Sequence, residues 1–405
     1  MDKLDIYAKA VITSGINLRK GQCLSIVSGA ENYMFARILA QEAYKSGAKF
    51  VKIEMIDNHL LLSRLENQDG EDLDYFPNYR INFGQEMLVD DWAHIRIDNT
   101  EEISVMKSAD SEKLNRLRSQ TQKRLQFVSK SLMKDEHPWC VIAIPGPKWA
   151  KSVLGEEATE EDLWRILKPI LRLDREDPIA AWDEHNRSLH KRCTEYNHLK
   201  FDRIRFQSEG TDLTVGLSER SRWSGGPTSL PSGRLFNPNI PSEEIFTTPD
   251  WRRTEGRVKI TRPVKVLEKQ VIGAEFIFEK GKVVNFRADE GAESLKEYLE
   301  TDDGAAYLGE VALVQNDSPI SNSGKIFNSI LFDENASCHI ALGAGYPTCF
   351  SGYQELDSSE KLKEAGCNDS LVHTDFMLGA PDTTLTAYTQ DGRELVIMKE
   401  GNFVL

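Results

Sequence analysis

Acidic and imidazole side chains are set into three apolar segments in the last third of the chain. The segments are LGEVALV around Glu310, LFDENASCHIALG around Glu334 and His339, and VHTDFMLG around His373 and Asp375. Charged side chains are rarely buried without a partner, because an unpaired buried charge is costly. Carboxylate oxygens and imidazole nitrogens are ligands of divalent cations. A fold that gathers the three segments around one or two shared cations satisfies these side chains, so we predict a metal site.

Length and patterning favour two domains. At 405 residues the chain exceeds one ordinary domain, and its 40% hydrophobic content can supply two cores. Helical and strand patterns alternate in the first half, which favours a mainly parallel sheet, whereas strand patterns and turns predominate after residue 199. We therefore expect an N-terminal α/β domain over residues 1–195. An α+β, partly barrel-like C-terminal domain over residues 196–405 is expected to carry the metal site.

Hydrophobic periodicity predicts individual elements in both halves. One predicted helix begins with a capping-box variant, Thr159-x-x-Asp162, and is expected to end before Pro169. In the first half the predicted strands are 22–28, 49–56 and 139–144, and the predicted helices are 31–45, 109–134, 158–167 and 178–199. In the second half the predicted strands are 201–206, 211–217, 257–260, 274–279, 282–288, 310–314, 385–389 and 394–398, with one helix at 294–301.

The bulk charge and the cysteines restrict partners and compartment. The 64 acidic residues exceed the 50 basic ones, which argues against a nucleic-acid backbone or an anionic membrane as the main partner. The N-terminal segment lacks the charge pattern of a signal peptide, and no apolar run approaches the roughly 20 residues that span a bilayer. The 6 cysteines form no C-x-x-C pair, so reduced thiols are expected. We expect a cytoplasmic protein.

Two of the candidate patterns also have simpler interpretations when each is taken alone. His373 and Asp375, at positions i and i+2, face the same side of an extended segment, so one cation could take both. A histidine hydrogen-bonded to a nearby carboxylate explains the pair at least as well. Glu310 opens an apolar strand, where a carboxylate can equally end in water. The metal hypothesis therefore depends on the segments being considered together.

The remaining acidic candidates depend on local geometry that periodicity does not supply. Glu334 and His339 lie five residues apart, so a bend is required before they can converge. In NIPSEEIFTTPD, Glu243 and Glu244 stand between two turn-forming prolines, beside apolar residues. One of the two is expected to face inward, and periodicity does not decide which.

The motifs of several other functional classes are absent or incomplete. The chain contains no H-E-x-x-H, no G-x-S-x-G and no G-x-x-x-x-G-K-[ST]. Residues 343–345 (GAG) begin like a dinucleotide fingerprint, but Thr348 occupies the position of the third glycine. Cys338 next to a histidine would suggest a thiol nucleophile, yet neighbours on a strand point to opposite faces. His185 and His190 are five apart on a predicted helix and do not share a face.

Taken together, four segments resemble the thermophilic-type metallo-aminopeptidases, the family of aminopeptidase T and aminopeptidase S. The segments are NIPSEEIFTTPD, LGEVALV, LFDENASCHIALGAGYP and HTDFMLG. The resemblance spans the chain, including GTDLTVGL and the N-terminal α/β half. It implies a two-metal exopeptidase that removes N-terminal residues from peptides with a free N-terminus, with zinc, cobalt or magnesium as the ion. It also implies a homodimer.

The resemblance further implies which residues hold the metals: Glu244, Glu310, Glu334, His339, His373 and Asp375. Two cations roughly 3.5–4 Å apart can provide both a bridging hydroxide and polarisation of the peptide carbonyl, which is what peptide hydrolysis requires. We assign the bridging position to Glu310. Glu244 and His339 are assigned to one metal, and His373 with Asp375 to the other.

Two further roles are expected at this site. Glu334 is either an additional metal ligand or the group that handles the proton. Tyr346 matches the active-site tyrosine of the family and is expected to donate a hydrogen bond to the developing oxyanion, ordinary core packing being its alternative role. Two other functions remain as alternatives: a two-metal hydrolase of another amide or ester, and a non-catalytic metal-binding homologue. The preferred N-terminal residue, the physiological metal and the physiological peptide are left open.

Overall fold

The computed structural model describes residues 2–102, 104–267 and 269–405, and these form two compact units. The first unit comprises the residues up to Glu184 together with Pro227–Pro241, and the second comprises His185–Gly226 and Ser242–Leu405. The expected division at 195/196 assumed one crossing between domains, whereas the chain crosses three times. The first crossing lies inside one long helix, where neither composition nor periodicity changes.

The helices and strands are numbered here in chain order. The α-helices are α1 Lys3–Ala10, α2 Tyr33–Lys45, α3 Asn58–Asn67, α4 Gly70–Asp74, α5 Asn78–Val89, α6 Ser111–Met133, α7 Pro147–Leu154, α8 Glu160–Ile170, α9 Pro178–Leu199, α10 Ala292–Leu299, α11 Pro319–Asn322, α12 Ile330–Asp333 and α13 Ser359–Ala365. The strands are β1 Cys23–Gly29, β2 Phe50–Ile56, β3 Ala93–Ile97, β4 Trp139–Ile142, β5 Phe201–Ser208, β6 Thr211–Gly216, β7 Ser224–Gly225, β8 Thr228–Ser229, β9 Leu235–Phe236, β10 Asn239–Ile240, β11 Ile245–Thr247, β12 Thr254–Lys259, β13 Val264–Val266, β14 Lys269–Val271, β15 Glu275–Glu279, β16 Lys282–Arg287, β17 Leu308–Leu313, β18 His339–Gly343, β19 His373–Met377, β20 Thr384–Thr389, β21 Glu394–Lys399 and β22 Asn402–Phe403.

The first unit contains a five-stranded sheet in the order β10-β4-β3-β1-β2, in which all neighbours are parallel. The predicted mainly parallel sheet is confirmed. Leu24, Ile26 and Ile95 on its central strands are fully buried. The edge strand β10 has only two residues, too few to show a hydrophobic period, and it explains why residues 227–241 return to this unit.

Helix boundaries in the first unit follow local signals. α8 begins with the predicted capping box, in which Thr159 Oγ1 accepts from the Asp162 N–H and Asp162 accepts from the Thr159 N–H. The helix continues through Pro169 to Ile170, so the expected end before the proline is wrong. A proline removes one hydrogen bond to the carbonyl four residues earlier, and here that carbonyl belongs to the exposed residue Arg165, where water can replace the bond.

The second unit is built on two antiparallel sheets. One has five strands in the order β19-β18-β17-β11-β7, and the other has eight in the order β16-β15-β12-β6-β5-β20-β21-β22. Apolar side chains from both sheets form one continuous core, including Phe206, Phe276, Ile340 and Phe376. Within the described residues neither sheet closes on itself, so the barrel-like part of the fold prediction is not confirmed. Alternating patterns reveal strands, whereas closure depends on tilt and stagger between strands.

Two smaller findings concern thiols and membranes. The six cysteines are free thiols, and five of them are buried. No described helix has the length and apolarity to span a lipid bilayer.

Candidate metal centre

The candidate ligands on strands lie in the five-stranded antiparallel sheet of the second unit, on the face opposite the apolar core. Val311 of β17, Ile340 of β18 and Phe376 of β19 belong to the core. Side chains alternate between the two faces of a strand, so the neighbours of these residues point the other way. Those neighbours are the predicted site residues Glu310, His339 and Asp375. Local alternation therefore determines the face on which the site is built.

Strand register brings side chains from different strands together. Glu310 pairs with Ala341, and Ala341 pairs with Asp375 on the next strand. An alanine in the middle of this row leaves space above the sheet, so the longer carboxylate side chains on either side can approach one another. His373 pairs with Gly343, which also lacks a bulky side chain. Ala341 and Gly343 thus make room for the charged side chains.

Each histidine is oriented by a backbone carbonyl. Nδ1 of His373 lies 2.8 Å from the carbonyl oxygen of Ala344, and Nδ1 of His339 lies 3.1 Å from that of Ser337. An imidazole nitrogen facing a carbonyl oxygen must carry the proton, so in the neutral tautomer each Nε2 presents a lone pair. This is the arrangement usual for metal-binding histidines.

The two Nε2 atoms point at carboxylates. His339 Nε2 lies 3.2 Å from Glu244 Oε2. His373 Nε2 lies 3.3 Å from Glu310 Oε2 and 3.5 Å from Asp375 Oδ1. A lone pair facing carboxylate oxygens is unfavourable unless a proton or a metal cation lies between them.

The ligand atoms form two groups that share one residue. Donor atoms of Glu244, Glu310 and His339 all lie within 4.8 Å of one another, and so do those of Glu310, His373 and Asp375. The structure therefore brings together five of the six predicted ligands. Glu310 belongs to both groups, which is the position that a bridging carboxylate requires.

Two carboxylate oxygens in this cluster lack a well-formed hydrogen bond, which indicates whether a cation would fit among the ligand atoms. Glu244 Oε2 and Asp375 Oδ1 are buried and lack a well-formed hydrogen bond among the described residues, although a histidine Nε2 lies 3.2 Å from the first and 3.5 Å from the second. Glu310 is 4% exposed. Burial and the neighbouring Asp375 raise the pKa of Glu310. Burial opposes protonation of His339, but the adjacent Glu244 carboxylate raises the pKa of His339 to about 10. Divalent cations would balance the negative charge of these clustered carboxylates and accept the imidazole lone pairs, so the donor set fits divalent metal ions.

Glu334 lies beside this cluster but outside both groups. It opens the short 3-10 turn Glu334–Ala336, which provides the bend that the sequence required. Its Oε1 accepts a hydrogen bond of 3.3 Å from Asn335 Nδ2. Burial, followed by repulsion from Asp375 and Glu244, raises the pKa of Glu334 well above its usual value. Its carboxylate is close enough to the ligands to feel their charge.

Tyr346 packs at the edge of the cluster. Its ring centroid lies 5.2 Å from that of His373 and 5.5 Å from that of Phe246, both in edge-to-face orientation. Burial and the charges of Glu310 and Asp375 raise the pKa of its hydroxyl, which therefore stays protonated and able to donate.

The structure also separates residues that the sequence left ambiguous. Glu244 faces His339, whereas Glu243 turns away, with its carboxylate 3.6 Å from His185 Nε2. Cys338 points into the core, where its Sγ lies 3.3 Å from the carbonyl oxygen of Val314 and burial raises its pKa to about 12. Cys338 is thereby excluded as a nucleophile at the site.

Two polar residues that no sequence pattern indicated also touch the site. Asn335 is fully buried, accepts from the Glu243 N–H over 2.7 Å and donates to Glu334. Thr248 bonds to the backbone of Tyr346. A short polar residue inside an apolar segment was the signal available for each, but it does not distinguish a supporting hydrogen bond from ordinary packing.

Comparison with known proteins gives consistent results. Residues 1–403 match the family model described as thermophilic metalloprotease (M29). Aminopeptidase 2 of Geobacillus stearothermophilus is 37% identical, with 99% of this chain and 97% of the relative covered. Aminopeptidase T of Thermus aquaticus is 35% identical, with 100% and 99% covered. The solved structure of wild-type AmpT from Thermus thermophilus has a TM-score of 0.90 and 34% identity, covering 100% of this chain and 99% of that one.

Proposed function

The chain belongs to the M29 family of thermophilic metalloproteases and is a metallo-aminopeptidase, and we propose that it works through two divalent cations that share Glu310. The observation that carries this proposal is the presence of Glu310 in both groups of potential ligand atoms. A single-metal site would need only one such group. Zinc, cobalt and magnesium are the candidate ions.

The two groups define what each residue would hold. Glu244 and His339 would bind one cation, His373 and Asp375 the other, with Glu310 between them. When bound, two such cations supply a hydroxide nucleophile at neutral pH and polarise the scissile carbonyl. The backbone carbonyls behind the histidines keep the rings oriented before any cation arrives. The protein thus supplies a prearranged set of donors.

Glu334 is proposed to carry the proton rather than a metal. Its position outside both groups, yet beside Asp375 and Glu244, supports this choice between the two roles expected from the sequence. A group that takes a proton from water and returns it to the leaving amine must stay near the reacting atoms without being tied to a cation. The hydrogen bond from Asn335 holds the carboxylate in that place.

Tyr346 is proposed to stabilise the transition state. Burial and the charges of Glu310 and Asp375 raise the pKa of its hydroxyl, so the hydroxyl can donate, and its ring lies beside His373. A hydrogen-bond donor contributes most where negative charge develops during the reaction, as on the carbonyl oxygen here.

We further propose substrates and assembly in line with the family. The substrates would be peptides with a free N-terminus, and the protein would act as a cytoplasmic homodimer with neither nucleic acid nor a membrane as partner. The net charge of −14 supports the absence of a polyanionic partner.

Chelation followed by metal restoration tests this function. The purified protein is assayed for release of amino acids from short peptides before and after removal of metals, and again after addition of zinc, cobalt or magnesium. Activity should disappear on chelation and return with at least one of these ions. Unchanged turnover in protein shown to be metal-free would refute the proposal.

A matched pair of peptides distinguishes the alternatives. A peptide with a free N-terminus should be cleaved, and the same peptide carrying an N-terminal acetyl group should not. Equal cleavage of both would favour a hydrolase of other amides or esters. Stoichiometric metal binding without cleavage of either peptide would favour a non-catalytic homologue.

A further inference from the structure

We propose that Thr248 is a positioning residue for Tyr346, fixing its backbone so that the phenol stays beside His373. The inference rests on the proposed function, because it gives Tyr346 a role in the reaction. Thr248 follows directly after β11, the strand preceded by Glu244, and its side-chain hydrogen bonds go to the backbone of Tyr346. It would act on the reaction through the tyrosine alone.

Two reciprocal hydrogen bonds join Thr248 to Tyr346. The hydroxyl of Thr248 accepts from the Tyr346 N–H over 2.8 Å and donates to the Tyr346 carbonyl oxygen over 3.1 Å. A hydroxyl can do both at once because it carries one proton and two lone pairs. The carbonyl also accepts from the Cys349 N–H over 3.1 Å. Removal of the hydroxyl would therefore affect the Tyr346 N–H most.

Thr248 is itself held firmly. It is fully buried, and its carbonyl oxygen accepts from Ser221 Oγ over 3.0 Å. Its methyl group packs against Gly345, where an added Cβ would lie 2.7 Å from Thr248 Cγ2. Thr248 therefore holds the loop at Gly345 and Tyr346 in place by hydrogen bonds and by close packing.

The location of Tyr346 explains why its backbone needs these contacts with Thr248. Tyr346 lies in the loop between β18 and the 3-10 turn Pro347–Cys349, so no strand pairing fixes its backbone. Its ring nevertheless has to keep a defined position beside His373, 5.2 Å between centroids. Misplacement of a reacting group by about 1 Å can cost on the order of 100-fold in rate. Loss of the Thr248 hydroxyl should therefore lower kcat.

Two matched substitutions test the inference. Thr248→Val keeps the shape of the side chain and removes the hydroxyl, whereas Thr248→Ser keeps the hydroxyl and removes the methyl group. With an aminoacyl p-nitroanilide as substrate, Thr248→Val should lower kcat by roughly 10- to 100-fold with KM changed by less than about 3-fold. Thr248→Ser should stay within about 3-fold of the parent kcat. Both variants should retain the parent metal content.

A readout independent of activity checks the contact itself. In hydrogen–deuterium exchange, the peptide segment containing Tyr346 should exchange faster in Thr248→Val than in the parent, and Thr248→Ser should match the parent. This measurement tests the hydrogen bond to Tyr346 even if Tyr346 has no role in the reaction. Unchanged exchange in Thr248→Val would overturn the inference whatever the activity shows.

A double substitution shows whether Thr248 acts through the tyrosine. In a Tyr346→Phe background, adding Thr248→Val should cost less than about 3-fold in kcat, because the hydroxyl being positioned is already gone. The full single-variant loss in that background would overturn the inference, as would equal losses in Thr248→Val and Thr248→Ser. A parent-like rate for Tyr346→Phe alone would instead refute the proposed role of the tyrosine, and with it any catalytic role for Thr248.

Discussion

Oε2 of Glu310 lies 3.3 Å from Nε2 of His373, whose opposite ring nitrogen is held by the carbonyl oxygen of Ala344. The imidazole is thus aimed by the backbone at a carboxylate that also faces a second group of ligands. His339 repeats the arrangement with Glu244 and the carbonyl of Ser337. Strand register and backbone carbonyls set these directions. The protein therefore orders the site without a bound cation.

Glu310→Gln should weaken binding at both metal positions, because the amide keeps the shape but loses the charge shared by the two groups. We expect fewer than two equivalents of metal per chain and a kcat/KM lower by about 100-fold or more. Elemental analysis and peptide hydrolysis on the same preparation measure both. As a control, Glu275→Gln removes a carboxylate that pairs with Arg287 and should leave both unchanged. Two tightly held equivalents at the parent rate would contradict the bridging role.

His339→Gln and His373→Gln should each remove about one of two metal equivalents, because each histidine belongs to a different group. Calorimetric titration of the metal-free variants with zinc counts the remaining metal sites. The exposed His190 provides the control, since His190→Gln should bind as the parent does. If either variant retained both sites with parent affinity, the assignment of ligands would be wrong.

Tyr346→Phe should lower kcat while leaving metal content and KM close to those of the parent. Removal of one donor to a developing oxyanion typically costs about 100- to 1000-fold in kcat, and a smaller loss is expected where cations share that charge. Steady-state kinetics with a metal analysis of each sample measure the effect. Tyr388→Phe is a suitable control, because Tyr388 lies on the eight-stranded sheet, with its ring centroid 4.3 Å from the guanidinium carbon of Arg203. Parent turnover in Tyr346→Phe would exclude the oxyanion role.

Asp135→Asn should stabilise the protein near neutral pH. Burial raises the pKa of Asp135 to about 6, so the folded protein holds a proton that the unfolded chain releases above pH 4 or so. The stability contribution of this group therefore falls as pH rises from about 4 to 6 and stays low above that range. Asparagine still accepts from Thr228 Oγ1 and tolerates the left-handed backbone at φ 54.

The expected gain in the free energy of unfolding is about 1–3 kcal/mol at pH 7.5, shrinking toward zero near pH 4. Urea denaturation at several pH values measures it, with Asp174→Asn at an exposed position as the control. A gain of the same size at pH 4 and pH 7.5 would show that the buried charge is not its cause.

Elements with strong local signals could be predicted from the sequence. The periodic segment 109–134 corresponds to α6, and the capping box at Thr159 and Asp162 begins α8 as expected. Short elements were not predicted, such as β10 with two residues and β11 with three. A segment of two or three residues is too short to show a hydrophobic period. The predicted end of α8 is wrong because a proline costs less where the carbonyl that loses its hydrogen bond belongs to an exposed residue, here Arg165.

The amino-acid sequence by itself determined which side chains are available and which neighbours share a face. His373 and Asp375 lie on the same side of β19 because strand alternation is a local property. Tertiary structure alone decided that Glu244 rather than Glu243 enters the site, that Glu310 lies between both groups, and that Thr248 holds Tyr346. Each of these relationships depends on pairing between strands and loops far apart in the chain, and neither periodicity nor composition encodes that register.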